Sequence, residues 1–298
     1  MSTAYLLVSH GSSDARHQSG LTRLAHLTQQ AIADKLTASR KGWHDELHWE
    51  ETCATEADRP LWAGRVGQSE LPEWILGTAT LEAAEAPLAM QIEAFGRQAL
   101  ARGIRQVVIV PLFLLAGVHV TEDVPAEIAI AQRSLQHQVS LWCTPHLGDA
   151  PGLFHLMRLR LTLTGAEKCL LFAHGSRRRA GNRAVMGLAS ALDAATAFWS
   201  VPPDLETRVL ELIHDGYQHI AIAPYFLFPG GITDSILHRT EALADRFPRV
   251  RLRLLSPLGS SADLGSVVAD LALGMGQRID ARDRAQTVLS LAEDGITA

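Results

Sequence analysis

Apolar residues along this chain fall into two alternating rhythms. Short continuous runs at Tyr5–Ser9, Trp74–Leu81, Val107–Leu112 and Val139–Cys143 have the length and make-up of strands buried on both faces. Between them Leu88, Ile92, Phe95 and Ala99 recur at helical spacing, as do Val124, Ile128, Ala131 and Leu135. The helical rhythm resumes much later with Leu205, Val209 and Leu212. Strands that are apolar throughout, rather than at alternate positions, predict a parallel sheet with helices on both faces and right-handed crossovers.

The pattern occurs twice. The segment from Ala4 to Ser12, which ends in His10-Gly-Ser, returns 164 residues later from Lys168 to Ser176, ending in His174-Gly-Ser. Residues 103–115 return as 216–228, displaced by 113, and Thr144–Gly148 pairs with Ser256–Gly259. An internal duplication therefore predicts two flavodoxin-like α/β lobes, residues 1–150 and 165–298, facing each other across a cleft. The displacements differ by 51 residues, which places an insertion in the first copy at about residues 40–71. That insertion carries Trp43, Trp49 and Trp62 with His44, His48 and Cys53. It reads either as an elaborated loop that docks its aromatics on its own lobe or as a lid over a flat aromatic ligand. The last stretch, from about Gly274 to Ala298, is read as a helical tail packed on the second lobe or frayed.

Composition narrows the function. With 47% hydrophobic and 20% charged residues the chain has ample material for a core, which excludes a disordered protein. A net charge of −5 excludes a nucleic-acid binder that works by bulk charge. The longest apolar stretches, Val107–Val118 and Ile220–Ile232, fall short of the roughly 18 residues of a membrane span. Three widely spaced cysteines without a C-x-x-C pair fit neither a disulfide framework nor a zinc site. No basic segment precedes Tyr5, so the amino terminus does not read as a signal peptide. The expectation is a cytoplasmic protein without a membrane or nucleic-acid partner and, with two lobes already fused, a monomer.

Ligands of open parallel sheets bind beyond the carboxyl ends of the strands. Three ionisable residues of the first copy fall there: His10 after the first strand, Glu82 after the second, and His119 in the loop after the third. In the strand order 2-1-3 these tips are neighbours, about 4.8 Å apart. Two imidazoles and one carboxylate at one spot suit a loosely held divalent first-row metal, with His10 and His119 as ligands. The second copy keeps His174 but has Ile232 in place of His119 and no acid in Ala197–Val201. One active centre is therefore expected, in the first lobe. The second copy adds Arg177, Arg178 and Arg179, which with Ser12 and Ser13 are candidate anchors for carboxylates or phosphates; Arg16 is a further one. His17 and His146 remain unassigned, and the other histidines are read as structural.

His-Gly-Ser at 10–12, Leu81-Glu82 and the run from Pro111 to Pro125 together resemble the sirohydrochlorin chelatases of the CbiX/SirB type, in their long two-copy form. The resemblance implies a class II chelatase fold and ATP-independent insertion of Co²⁺ or Fe²⁺ into sirohydrochlorin, toward cobalamin or sirohaem. It implies His10 and His119 as the active-site histidines and Glu82 as the acid. The metal is then a substrate, no cofactor is tightly bound, and the partner is a tetrapyrrole. No G-x-x-x-x-G-K-[ST] phosphate loop occurs in the sequence, in keeping with chemistry that needs no ATP. Competing readings are a non-catalytic tetrapyrrole or metal carrier, a chelatase for another tetrapyrrole or for Ni²⁺, and a histidine phosphatase. The last normally wants Arg-His-Gly, whereas Ser9 and Ala173 precede the histidines here.

Overall fold

The computed structural model describes residues 2–46, 74–176 and 179–294. The first copy supplies β1 (Ala4–Ser9), α1 (Ala15–Glu46), β2 (Ile75–Thr80), α2 (Leu88–Ala101), β3 (Gln106–Pro111), α3 (Val124–Ser134), β4 (Ser140–Cys143) and α4 (Pro151–Thr162). The second supplies β5 (Lys168–Ala173), α5 (Arg179–Ala191), β6 (Ala194–Phe198), α6 (Leu205–His214), β7 (His219–Pro224), α7 (Gly231–Arg246), β8 (Arg251–Leu254) and α8 (Ala262–Asp294). Every strand pairing is parallel, and the two sheets have the orders β2-β1-β3-β4 and β6-β5-β7-β8. Among the described residues no helix is long and apolar enough to cross a membrane.

Each sheet buries both faces, which explains the uninterrupted apolar strands. Leu6 and Val8 of β1 join an outer core with α2 and α3, as Leu170 and Phe172 of β5 do with α6 and α7. Tyr5 and Leu7 face the other way, into a central core that also receives Leu171 and Ala173. The central core is built from equivalent positions of the two copies: Leu7 with Leu171, Leu21 with Val185, Leu147 with Leu258, Leu153 with Leu264, Met157 with Val268. The lobes are thus joined through one shared hydrophobic core.

Two expectations change. The tail continues α8, whose described part packs along α1 and against β3 of the first lobe as well as into the shared core. Small residues permit this, since a Cβ on Gly265 would come within 2.8–3.1 Å of Leu27, and Leu264, Val268, Ala272 and Ile279 enter the central core. The segment expected as an insertion begins as helix, because α1 runs on to Glu46 and carries Trp43 and His44. Trp49, Trp62, His48 and Cys53 lie outside the described residues.

Candidate metal centre

Adjacent strand tips deliver three side chains to one place. β1 ends at Ser9 beside Thr80 of β2, and the ladder continues one step further: Leu81 N–H donates to Ser9 O (2.9 Å) and Glu82 N–H to His10 O (2.8 Å). Gly11 then turns the chain away at φ +93°, against the carbonyl of Glu82. A Cβ there would stand 1.9 Å from that oxygen, so only glycine fits between the two tips. His119, placed in a loop by the sequence pattern, instead opens a π-helical turn, His119–Asp123, that runs directly into α3. Such turns are frequent at functional sites.

One ligand atom each from His10, Glu82 and His119 lie within 4.8 Å of one another. The two Nε2 atoms are 3.3 Å apart, and His10 Nδ1 is 3.9 Å from Glu82 Oε2. The other ring nitrogens have oxygen partners that only accept: His10 Nδ1–H donates to Gly11 O (3.1 Å) and His119 Nδ1–H to Asp123 Oδ2 (2.7 Å). With both protons on Nδ1 both Nε2 atoms present lone pairs, and with one proton on Nε2 the 3.3 Å contact is a hydrogen bond. Two lone pairs at 3.3 Å repel unless a cation lies between them. An ion bound here would be held by the two Nε2 atoms with the Glu82 carboxylate beside them. Phe113 packs near both rings, at 6.4 and 6.3 Å between centroids, and limits their swing. The site is open to solvent, with His10 47%, Glu82 57% and His119 38% exposed.

Asp123 was not singled out from the sequence. The signal was its spacing of four from His119, which matters only if both share a helical turn. A carboxylate on Nδ1 is the arrangement that commonly orients metal-binding histidines.

The expected anion anchors fare unevenly. Ser12 Oγ accepts from Asp14 N–H (3.1 Å), which fixes the turn after Gly11. Ser13 stands exposed in the same turn. Arg177 and Arg178 lie outside the described residues, and Arg179 is the first residue of α5. Arg16 is no free anchor, because its guanidinium is held by Asp14 and by Asp234 of the second lobe, at 2.7–3.2 Å. His17 packs edge-on to Phe228 of the second lobe (4.9 Å between centroids), where burial first and then the nearby His10 lower its pKa. His146 is buried and pairs through Nδ1 with Asp149 (2.9 Å), a structural role in the turn before α4.

At the second sheet the same backbone frame recurs: Trp199 N–H donates to Ala173 O and Ser200 N–H to His174 O, both at 2.9 Å. Ser200 thus stands where Glu82 stands in the first copy. Among the described residues only His10, Glu82 and His119 form a group able to hold a metal.

Two lobes built on four-stranded parallel sheets are also the fold of solved chelatases. SirB from Bacillus subtilis with Fe³⁺ superposes with a TM-score of 0.63 at 19% identity, over 91% of this chain and 94% of that one. The sirohydrochlorin chelatase SirB from Bacillus subtilis subspecies spizizenii in complex with cobalt gives 0.59 at 18%, over 94% and 98%. CbiX, described as the terminal enzyme of siroheme biosynthesis in denitrifying bacteria, gives 0.52 at 19%, over 89% and 96%. At these identities the likeness is one of fold. The sequence itself matches the CbiX family model twice, over residues 62–164 and 168–273, and the chain belongs to that family. Glu82 and His119 lie inside the first match, and His10 precedes it. No curated protein matches the chain.

Proposed function

We propose that the protein inserts a divalent metal, Co²⁺ or Fe²⁺, into sirohydrochlorin without ATP, at His10, His119 and Glu82. The observation that carries this reading is the pair of facing Nε2 atoms 3.3 Å apart, with the Glu82 carboxylate beside them, at an open strand-tip site. Family membership and the fold shared with sirohydrochlorin chelatases support it.

The chemistry balances. Insertion moves M²⁺ from the two imidazoles to the macrocycle and releases two pyrrole N–H protons. As the ion leaves, it vacates two lone pairs, so each imidazole can accept one proton, and the charge on the pair is unchanged. Imidazole binds metal and proton in turn near neutral pH because its ordinary pKa is about 6.5. Two imidazolium rings this close repel, so the protons pass on to water, aided by the Glu82 carboxylate 3.9 Å from His10. Asp123 keeps the His119 lone pair aimed inward throughout the exchange. The basic run Arg177–Arg179 is the proposed anchor for the carboxylates of the macrocycle, and the Ser12 and Ser13 hydroxyls are further candidates.

The test is to mix the protein anaerobically with sirohydrochlorin and Co²⁺, Fe²⁺ or Ni²⁺ and follow the absorption of the macrocycle. A rate above the spontaneous one with Co²⁺ or Fe²⁺ supports the reading. Tight binding with no acceleration by any metal refutes it in favour of a carrier.

A further inference from the structure

Two of the three side chains of the site stand on elements that are tied to each other. Glu82 lies in the turn 81–87 between β2 and α2, and Ala83, which follows it, is held at φ +54°. A residue other than glycine keeps that conformation only where its surroundings fix it. β2 is the edge strand of its sheet, and Gln91 of α2 supplies what a further strand would. Its Oε1 accepts from Thr80 N–H (3.0 Å) and its Nε2 donates to Thr80 O (2.8 Å). The same Nε2 donates to Ala86 O (2.8 Å), so one amide holds both ends of the turn.

The start of α2 is held by another helix. Its N-cap position is Pro87, which makes no side-chain hydrogen bond, and Ala89 N–H in the first turn donates instead to Glu127 Oε2 of α3 at 2.6 Å. A carboxylate there satisfies a helix N–H that has no partner within the helix and complements the helix dipole. α3 runs on directly from the π-helical turn that carries His119. His119, Asp123 and Glu127 follow at intervals of four residues. Asp123 orients His119, and Glu127, one turn further on, holds the helix that begins where the Glu82 turn ends.

The second copy closes the same turn locally. Leu88, Ile92 and Phe95 of α2 and Leu205, Val209 and Leu212 of α6 are buried at equal spacings, which matches Gln91 with Arg208. Val124 and Ala131 of α3 and Ile236 and Leu243 of α7 likewise match Glu127 with Arg239. There α6 is capped by its own Asp204, which accepts from Thr207 N–H (2.8 Å). Phe198 N–H, at the place of Thr80, donates to Pro203 O of its own turn (2.8 Å). Arg208 donates to Thr196 O, and Arg239 lies over the Trp199 ring. Local contacts thus suffice to close such a turn, and the copy that ties it to the neighbouring helix is the one whose turn carries an acid of the site.

We infer that Glu127 and Gln91 are positioning residues that set the Glu82 carboxylate against the two histidines. Glu127 couples the Glu82 turn to the helix that bears His119, and Gln91 passes that placement to the backbone on either side of Glu82. The need for a placed acid rests on the proposed function. Neither side chain belongs to the ligand set, so both act through Glu82.

Co²⁺ binding by the protein alone tests this, with unfolding curves to check that each variant keeps the fold. Glu127→Ala is expected to weaken Co²⁺ binding about fivefold, whereas Glu127→Gln, whose amide oxygen can still accept from Ala89 N–H, should stay within about twofold. Gln91→Glu keeps the size of the side chain but sets a carboxylate against the Thr80 and Ala86 carbonyls, and should also cost about fivefold. Asp204→Ala removes the cap of α6 and should lower the unfolding midpoint much as Glu127→Ala does, yet leave Co²⁺ binding within about 1.5-fold. The deciding comparison is made in a Glu82→Ala background, itself expected to bind about tenfold more weakly. There neither Glu127→Ala nor Gln91→Glu should weaken binding further by more than about 1.5-fold. Equal losses with and without the Glu82 carboxylate, or undiminished binding in Glu127→Ala or Glu82→Ala, overturn the inference. Insertion into sirohydrochlorin by the unaltered protein is measured in parallel. No acceleration with Co²⁺ or Fe²⁺ overturns the proposed function, while the Co²⁺ series still decides whether α3 places Glu82.

Discussion

The tips of the two sheets carry the same backbone and different chemistry. In the first lobe His10, Glu82 and His119 converge within 4.8 Å; at the equivalent places of the second stand His174, Ser200 and Ile232. The hydrogen bond from the residue beyond the second strand to the histidine carbonyl survives in both, from Glu82 to His10 and from Ser200 to His174. Ser200 has turned its hydroxyl back onto the same His174 carbonyl at 2.9 Å, completing a turn rather than facing a ligand. The strands and turns are retained because the shared core needs them, whereas the ligand set persists in only one lobe. A lone imidazole offers one donor and no compensating charge, too little to hold a hydrated divalent ion in competition with water.

That contrast breaks most directly at His119. Replacing His119 with Ala removes one of two facing donors and one of two proton acceptors, and insertion of Co²⁺ into sirohydrochlorin should fall at least about a hundredfold. The side chain is partly exposed and outside the core, so the unfolding midpoint should hardly move. Ile232→Ala at the matching place of the second lobe should leave insertion within about twofold. Near-normal turnover of His119→Ala, or an equal loss in the Ile232 variant, would erase the distinction between the lobes.

A smaller loss is expected at Asp123. Asn in its place can still accept from His119 Nδ1–H but brings no charge, and its amide can flip to favour the other tautomer. Loss of such an orienting acid typically costs about 10–100-fold in metal affinity or activity. Asp123→Asn should weaken Co²⁺ binding by about tenfold, and Asp123→Glu should restore part of it by returning the carboxylate. An unchanged Co²⁺ affinity in Asp123→Asn would mean that His119 is oriented by packing on Phe113 alone.

What was legible in the sequence was what repeats or alternates. The strands and the two copies follow from apolar runs and a duplicated register, while the convergence of His10, Glu82 and His119 rests on the flavodoxin-like order 2-1-3, which the sheet adopts. Asp123 lies one residue before the helical spacing that begins at Val124, so the apolar pattern does not place it on a turn with His119. The wider turn before α3 follows no 3.6-residue period, so His119 looked like a loop residue. Arg16 was misread as a free cation because Asp234, its partner, is 218 residues away. The tail was assigned by chain order, but a helical stripe says only that one face is buried, not against which neighbour. Pairing of α8 with α1 depends on the fit of Gly265 to Leu27, a contact between distant segments.

The glycines after the two histidines offer the finest comparison. Gly11 and Gly175 both sit at positive φ, +93° and +78°, so alanine is strained in either by about 1–2 kcal/mol. Their surroundings differ. A Cβ at Gly11 would fall 1.9 Å from the carbonyl oxygen of Glu82, an atom pinned by the ladder bonds of Leu81 and Glu82 to the first strand. A Cβ at Gly175 would meet Phe198 Cβ and Val201 Cγ2 at 2.9 Å, a full ångström farther than the clash at Gly11 and on side-chain atoms rather than a carbonyl. Gly11→Ala should therefore lower stability by about 1 kcal/mol more than Gly175→Ala, read from the shift in denaturant midpoint at equal slope. It should also weaken Co²⁺ binding, because relief of the clash must move Glu82 away from His10; Gly175→Ala should leave Co²⁺ binding as it is. Equal midpoints in the two variants would show that the close crossing of the strand tips is not what Gly11 is there to allow.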